Sequence, residues 1–152
     1  MNTLTGEILE IVTEEQISLV KVKVDEWIFS SIVIDTPATS SWLQKGHPIK
    51  VLFKETEVII ALGSSLAISV QNKIPCTIKK IMTGKILCQL DLRMEPATPA
   101  LPATASTARS GAAAPEIRSI ITRNACEQLN LRENDKVLAL IKTNEVSLSA
   151  HD

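Results

Sequence analysis

The chain reads mostly in period 2. Leu19-Val20-Lys21-Val22-Lys23-Val24 alternates apolar and polar residues, the pattern of a half-buried strand. Gly6–Val12, Phe29–Ile34, Lys50–Phe53 and Val58–Leu62 read as further short strands, and Lys54-Glu55-Thr56-Glu57 separates the last two. Pro37–Leu43 reads as a single helical turn. Short strands at this spacing with little helix predict a small barrel or sandwich. One stretch breaks the pattern. Residues 95–115, EPATPALPATASTARSGAAAP, offer almost nothing to bury and read as a flexible loop.

The pattern repeats. Residues 31–61 align with 119–149 at an offset of 88, placing Ser31 on Ser119, Leu43 on Leu131, and Lys54-x-x-Glu57-Val58 on Lys142-x-x-Glu145-Val146. Upstream the offset is 70, and Asn2–Ile8 falls on Asn72–Ile78. The difference, 88 minus 70, is 18 residues and falls in the Ala/Pro-rich stretch, so the second copy carries an insertion. A loop tolerates it because closure entropy grows slowly with length. Strand composition does not explain aligned polar pairs such as Asn2/Asn72 and Lys54/Lys142. The expected copies are residues 1–63 and 67–150, with the insertion at 95–115. Each is marginal alone, and two copies bury edges on each other or on further subunits.

Composition narrows the function. Lys plus Arg is 16 and Asp plus Glu is 17, a net charge of −1, which argues against a phosphate-driven nucleic-acid binder. Aromatic residues are 3%, too few for a base-stacking platform. No apolar run reaches the roughly 18 residues of a membrane span. Residues 1–7 lack the basic and apolar regions of a secretory signal. Three cysteines without a C-x-x-C suggest reduced thiols in the cytoplasm, with no zinc site and no disulfide framework. Neither histidine, His47 nor His151, belongs to a catalytic motif, and Cys76 and Cys88 read as core residues, so no enzyme is expected.

Three segments carry a family resemblance. Ile68-Ser69-Val70-Gln71-Asn72-Lys73-Ile74-Pro75-Cys76 resembles the Ser-Ala-Arg-Asn-x-Leu-x-Gly opening of the Mop, or TOBE, family. Val137–Val146 resembles its Ala-Leu-Ile-Lys-Ala-Ser-x-Val close. Ile120–Leu131 is similar to its Ile-Thr-x-x-Ser-x-x-x-Leu-Gly-Leu segment. Residues 51–58 resemble a divergent first copy. The resemblance implies an all-β chain of two tandem OB-like five-stranded β-barrels. It implies molybdate or tungstate bound between subunits, for storage or homeostasis of molybdenum, in a homo-oligomer that is a trimer for two-copy members. Cytoplasmic location and no nucleic-acid or membrane partner go with it. The alternative is a regulatory module docking on a molybdate transporter or a molybdoenzyme maturation partner.

A tetrahedral dianion needs several donors and a positive charge. The family's ligand positions fall here on Ser69, Val70, Gln71, Asn72, Lys142 and Thr143, with Thr122 on the middle segment. These supply hydroxyls, amides, backbone N–H groups and one ammonium. Gln71 stands where the family carries Arg, which removes a charge. In the first copy the corresponding weaker site is Asn2, Lys54 and Thr56. Glu57 and Glu145 lie near the two presumed sites in sequence.

Overall fold

The computed structural model describes residues 1–63, 66–96 and 114–150. Most of the 95–115 insertion therefore lies outside the described residues. Ten strands form: β1 (Asn2–Glu14), β2 (Ile17–Val24), β3 (Trp27–Val33), β4 (Pro48–Phe53), β5 (Ile59–Ala61), β6 (Asn72–Thr83), β7 (Leu87–Met94), β8 (Glu116–Thr122), β9 (Lys136–Ile141) and β10 (Ser147–Ala150). One short helix, α1 (Arg123–Gln128), follows β8. Single 3-10 turns at Glu55–Glu57 and Thr143–Glu145 precede β5 and β10.

The strands build two five-stranded antiparallel sheets, ordered β10-β4-β1-β2-β3 and β5-β9-β6-β7-β8. The fold is all-β, as the alternation predicts. The two sheets do not follow the two sequence copies one for one. β5, the last strand of the first copy, pairs with β9, and β10, the last strand of the second, pairs with β4. Each sheet thus takes four strands from one copy and its final strand from the other. The pairing registers repeat at the two sequence offsets. Asn2 faces Phe53 and Asn72 faces Ile141, while Val20 faces Ser31 and Leu90 faces Ser119.

β1 is longer than its hydrophobic pattern predicts. It starts at Asn2 and serves two neighbours, pairing with β4 over Asn2–Glu7 and with β2 over Glu7–Glu14. An irregularity between Ile8 and Glu10 bends the strand between these duties, and β6 carries its own between Ile78 and Lys80. The tight β1–β2 and β2–β3 turns place Glu15 and Asp25 at φ of 57° and 52°. The expected helical turn at Pro37–Leu43 is shorter, with Thr36 O accepting from Thr39 and Ser40 N–H; α1 occupies the matching place in the second copy.

The inward faces merge into one apolar cluster. Val20, Val22, Phe29, Ile49, Val51 and Phe53 fill the first sheet, and Ile78, Leu90, Leu92, Met94, Ile117 and Ile141 the second. Phe29 and Phe53 stack with centroids 5.8 Å apart. Cys76, Cys88 and Cys126 are free and buried among these residues. Two serines tie the ends of the sheets together. Ser31 Oγ on β3 donates to Val146 O, just before β10, at 2.5 Å. Ser119 Oγ on β8 donates to Val58 O, just before β5, at 2.7 Å. Each bond joins the two edge strands of one sheet, curling it toward a barrel. No helix among the described residues is long and apolar enough to cross a membrane.

Candidate functional site

The second copy begins and ends its barrel at one place. Asn72 on β6 is paired with Ile141 on β9, so the residues just before β6 run beside those just after β9. Ser69, Val70 and Gln71 meet Lys142 and Thr143 there, around a cavity of about 250 Å³. Its remaining wall is apolar and comes from the other sheet: Leu19 of β2 and Ile32 of β3. The volume is several times the ~30 Å³ share of one liquid water, enough for an ion of five heavy atoms.

The chemistry of the lining is one-sided. Among the described residues of the wall, Lys142 carries the only charge, and no carboxylate is present. Ser69 and Thr143 offer hydroxyls and Gln71 a carboxamide. Lys142 is exposed and caps the start of the Thr143–Glu145 turn in extended conformation, without a side-chain bond to that turn. Glu145 does not line the cavity. An ammonium beside hydroxyl and amide donors, backed by an apolar wall, suits a small polyvalent anion: low local polarity strengthens each charge-assisted bond.

Two of the residues singled out in the sequence are engaged elsewhere. Asn72 is 1% exposed. Its Oδ1 accepts from Ser30 N–H at 2.7 Å, and its Nδ2 donates to Ser30 O at 2.9 Å and to Ile141 O at 3.0 Å. Both side-chain amide hydrogens are in use, so the Asn72 side chain acts as a clamp between β6, β9 and β3. Thr122 lies outside the cavity and is the N-cap of α1, its Oγ1 accepting from Ala125 N–H at 3.0 Å.

The first copy differs. Asn2 repeats the clamp, with its Oδ1 accepting from Arg118 N–H at 2.7 Å and its Nδ2 donating to Arg118 O at 2.9 Å. Lys54 and Thr56 are both exposed, and neither lines the cavity beside Asn2. That cavity, of about 280 Å³, is bounded by Met1, Glu55, Asp91, Glu116 and Arg118 among others. Glu55 Oε2 accepts from the Met1 amino nitrogen at 2.6 Å. That bond, with a backbone hydrogen bond, holds the Glu55 carboxyl below its ordinary range against the opposing effect of burial, with lesser help from the charges of the amino terminus and Arg118.

Sequence reasoning missed Leu19 and Ile32. Ile32 belongs to a run of β-branched residues, and nothing in that run marks a wall for the other copy's site. The clamping serines were visible as an aligned pair, Ser31 and Ser119, without their partners. Among the described residues no group of three His, Cys, Asp or Glu side chains is placed to hold a metal ion.

No family model and no curated protein matches the sequence. A solved structure does match: the cytoplasmic molybdate-binding protein ModG, crystallised in a PEG-grown form with molybdate bound. The TM-score is 0.82 at 21% identity, over 99% of this chain and 96% of that one. Superposing over nearly the whole length of both chains, this chain has the ModG fold.

Proposed function

We propose that this protein binds molybdate, or the equally tetrahedral tungstate, at the joint of Ser69–Gln71 with Lys142 and Thr143. The observation that carries this is the single-charge cavity: residues far apart in sequence converge on one ammonium with donors around it and no carboxylate. The shared fold with a protein crystallised with molybdate supports the choice of anion. Lys142 supplies the charge, Ser69 and Thr143 hydroxyls, Gln71 an amide, and Val70 a backbone N–H. Asn72 holds the joint in shape rather than touching the anion. The role is binding, as a cytoplasmic store of oxyanion, rather than catalysis.

The site completes itself in a homo-oligomer, which we propose is a trimer. Equivalent positions on the two long hairpins support association: Val12 and Ile17 on β1–β2, Met82 and Leu87 on β6–β7, all exposed and apolar. Side chains of this kind on protruding arms favour burial against another copy.

Titration calorimetry with molybdate, tungstate and sulfate in low-salt buffer tests the reading. Heat and saturation with molybdate or tungstate are expected. Absence of binding by both would overturn it and favour the regulatory module that docks on a transporter or a maturation partner.

A further inference from the structure

The cavities at the two joints of the chain share two pairs of corresponding positions and differ in charge. The offset of 88 sets Glu55 against Thr143, and the offset of 70 sets Met1 against Gln71. Thr143 and Gln71 line the cavity that holds Lys142. Glu55 and Met1 line the cavity at the other joint, where the first copy meets β7 and β8.

The remaining lining does not correspond: the offsets set Leu19 and Ile32 against Gln89 and Ile120, whereas the first-copy cavity is bounded by Asp91 on β7 and Glu116 and Arg118 on β8. Arg118 Nε lies 3.3 Å from Asp91 Oδ1, and Lys79 Nζ lies 2.7 Å from Glu116 Oε2. Asp91 and Glu116 therefore each have a basic side chain against them. Among the described residues, no Lys or Arg side chain lies within ion-pair distance of Glu55, whose partner is the Met1 amino nitrogen. Lys54, the counterpart of Lys142, does not line this cavity.

We infer that Glu55 is the residue that closes the first-copy joint to oxyanions: its carboxylate stands where the second copy presents the neutral hydroxyl of Thr143, so each chain keeps one working oxyanion joint. This rests on the oxyanion reading of the Lys142 joint. A fixed carboxylate satisfies the donors around it as a bound anion would. Paired with the Met1 ammonium at 2.6 Å, it already occupies the charge an anion would need, and its own negative charge disfavours a second one close by. Position 55, and its equivalent 143, thus decides how many anions a chain holds.

The test is molybdate titration of the full chain as wild type, Glu55→Thr, Glu55→Gln and Thr143→Glu, each with a melting curve. Thr143→Glu is expected to weaken binding at least tenfold while the fold survives. Glu55→Thr and Glu55→Gln are expected to raise the number of molybdate ions bound per chain and to leave the original affinity within about twofold. Glu55→Gln keeps shape and removes only charge, so it decides the matter if Glu55→Thr does not fold. A wild type that binds no molybdate would refute the function proposed above. A wild type that binds, with folded Glu55 variants of unchanged stoichiometry, would refute this inference alone.

Discussion

The carboxamide of Asn72 and the backbone of Ser30 form a matched pair of hydrogen bonds: Ser30 N–H donates to Oδ1 at 2.7 Å, and Nδ2 donates to Ser30 O at 2.9 Å. An amide side chain presents one acceptor and two donors. It can therefore satisfy both polar groups of one residue on an edge strand and still donate once more, here to Ile141 O at 3.0 Å. β3 is an edge of the first sheet, so Asn72 closes part of that edge from the other half of the molecule. Asn2 does the same for Arg118 on β8, the edge of the second sheet. The exchanged strands β5 and β10 and the two asparagine clamps make the halves mutually dependent.

Asn72→Ala is expected to lower stability by about 2–4 kcal/mol, since three hydrogen bonds are lost and buried backbone groups of Ser30 go unsatisfied. Asn2→Ala removes two bonds at a less enclosed place and is expected to cost about 1–2 kcal/mol. Urea unfolding of both variants measures this. Equal, negligible shifts in the midpoint would show that the clamps are not structural.

Lys142→Met is expected to weaken molybdate binding ten- to a hundredfold with the fold intact, because a charge-assisted hydrogen bond is worth roughly 1.5–3 kcal/mol. Lys54→Met is expected to leave binding unchanged. Titration calorimetry of the two variants distinguishes them; indifference to Lys142→Met would place the anion elsewhere.

Glu95 gives the fold an acid-sensitive point beside the insertion. Burial opposes its ionisation, but hydrogen bonds from Arg93 and Thr77 and the charges of Lys136 and Arg93 outweigh this, holding the carboxyl below its ordinary value of 4.5. A lowered folded-state pKa means stability that is fully present above about 4.5 and lost as pH falls through the folded value. Between pH 6 and 3, wild type is therefore expected to lose more stability than Glu95→Gln in thermal melts. Parallel curves for the two proteins would contradict the assignment.

Light scattering is expected to find three chains of 16.5 kDa in the native particle. The double substitution Met82→Lys with Leu87→Lys puts charge on an exposed apolar arm and is expected to shift the particle toward monomer while far-ultraviolet dichroism stays unchanged. A wild-type monomer at micromolar concentration would rule out the trimer.

Much of this protein is local and therefore legible in its sequence. Alternation along Leu19–Val24 dictates a half-buried strand wherever that strand pairs, because successive side chains must point to opposite faces. The offsets of 70 and 88 anticipate the registers of both sheets, since equal patterns pair equally. Ser69–Gln71 with Lys142 and Thr143 are singled out through the resemblance of their segments to the Mop family, and the structure brings them around one cavity.

What the linear pattern could not decide is which partner each element meets. β5 and β10 are runs of only three and four residues, too short to specify which sheet they join; only the packing of the two sheets against each other selects the exchange. Asn72 and Lys142 are both polar residues beside a presumed site, and no spacing separates their surroundings. The tertiary structure does: it buries the Asn72 amide against Ser30 and leaves Lys142 exposed in the lining of a cavity. The walls of that cavity, Leu19 and Ile32, come from the opposite sheet. Their role exists only once two distant faces are brought together, and pairwise proximity of that kind is a property of the folded chain alone.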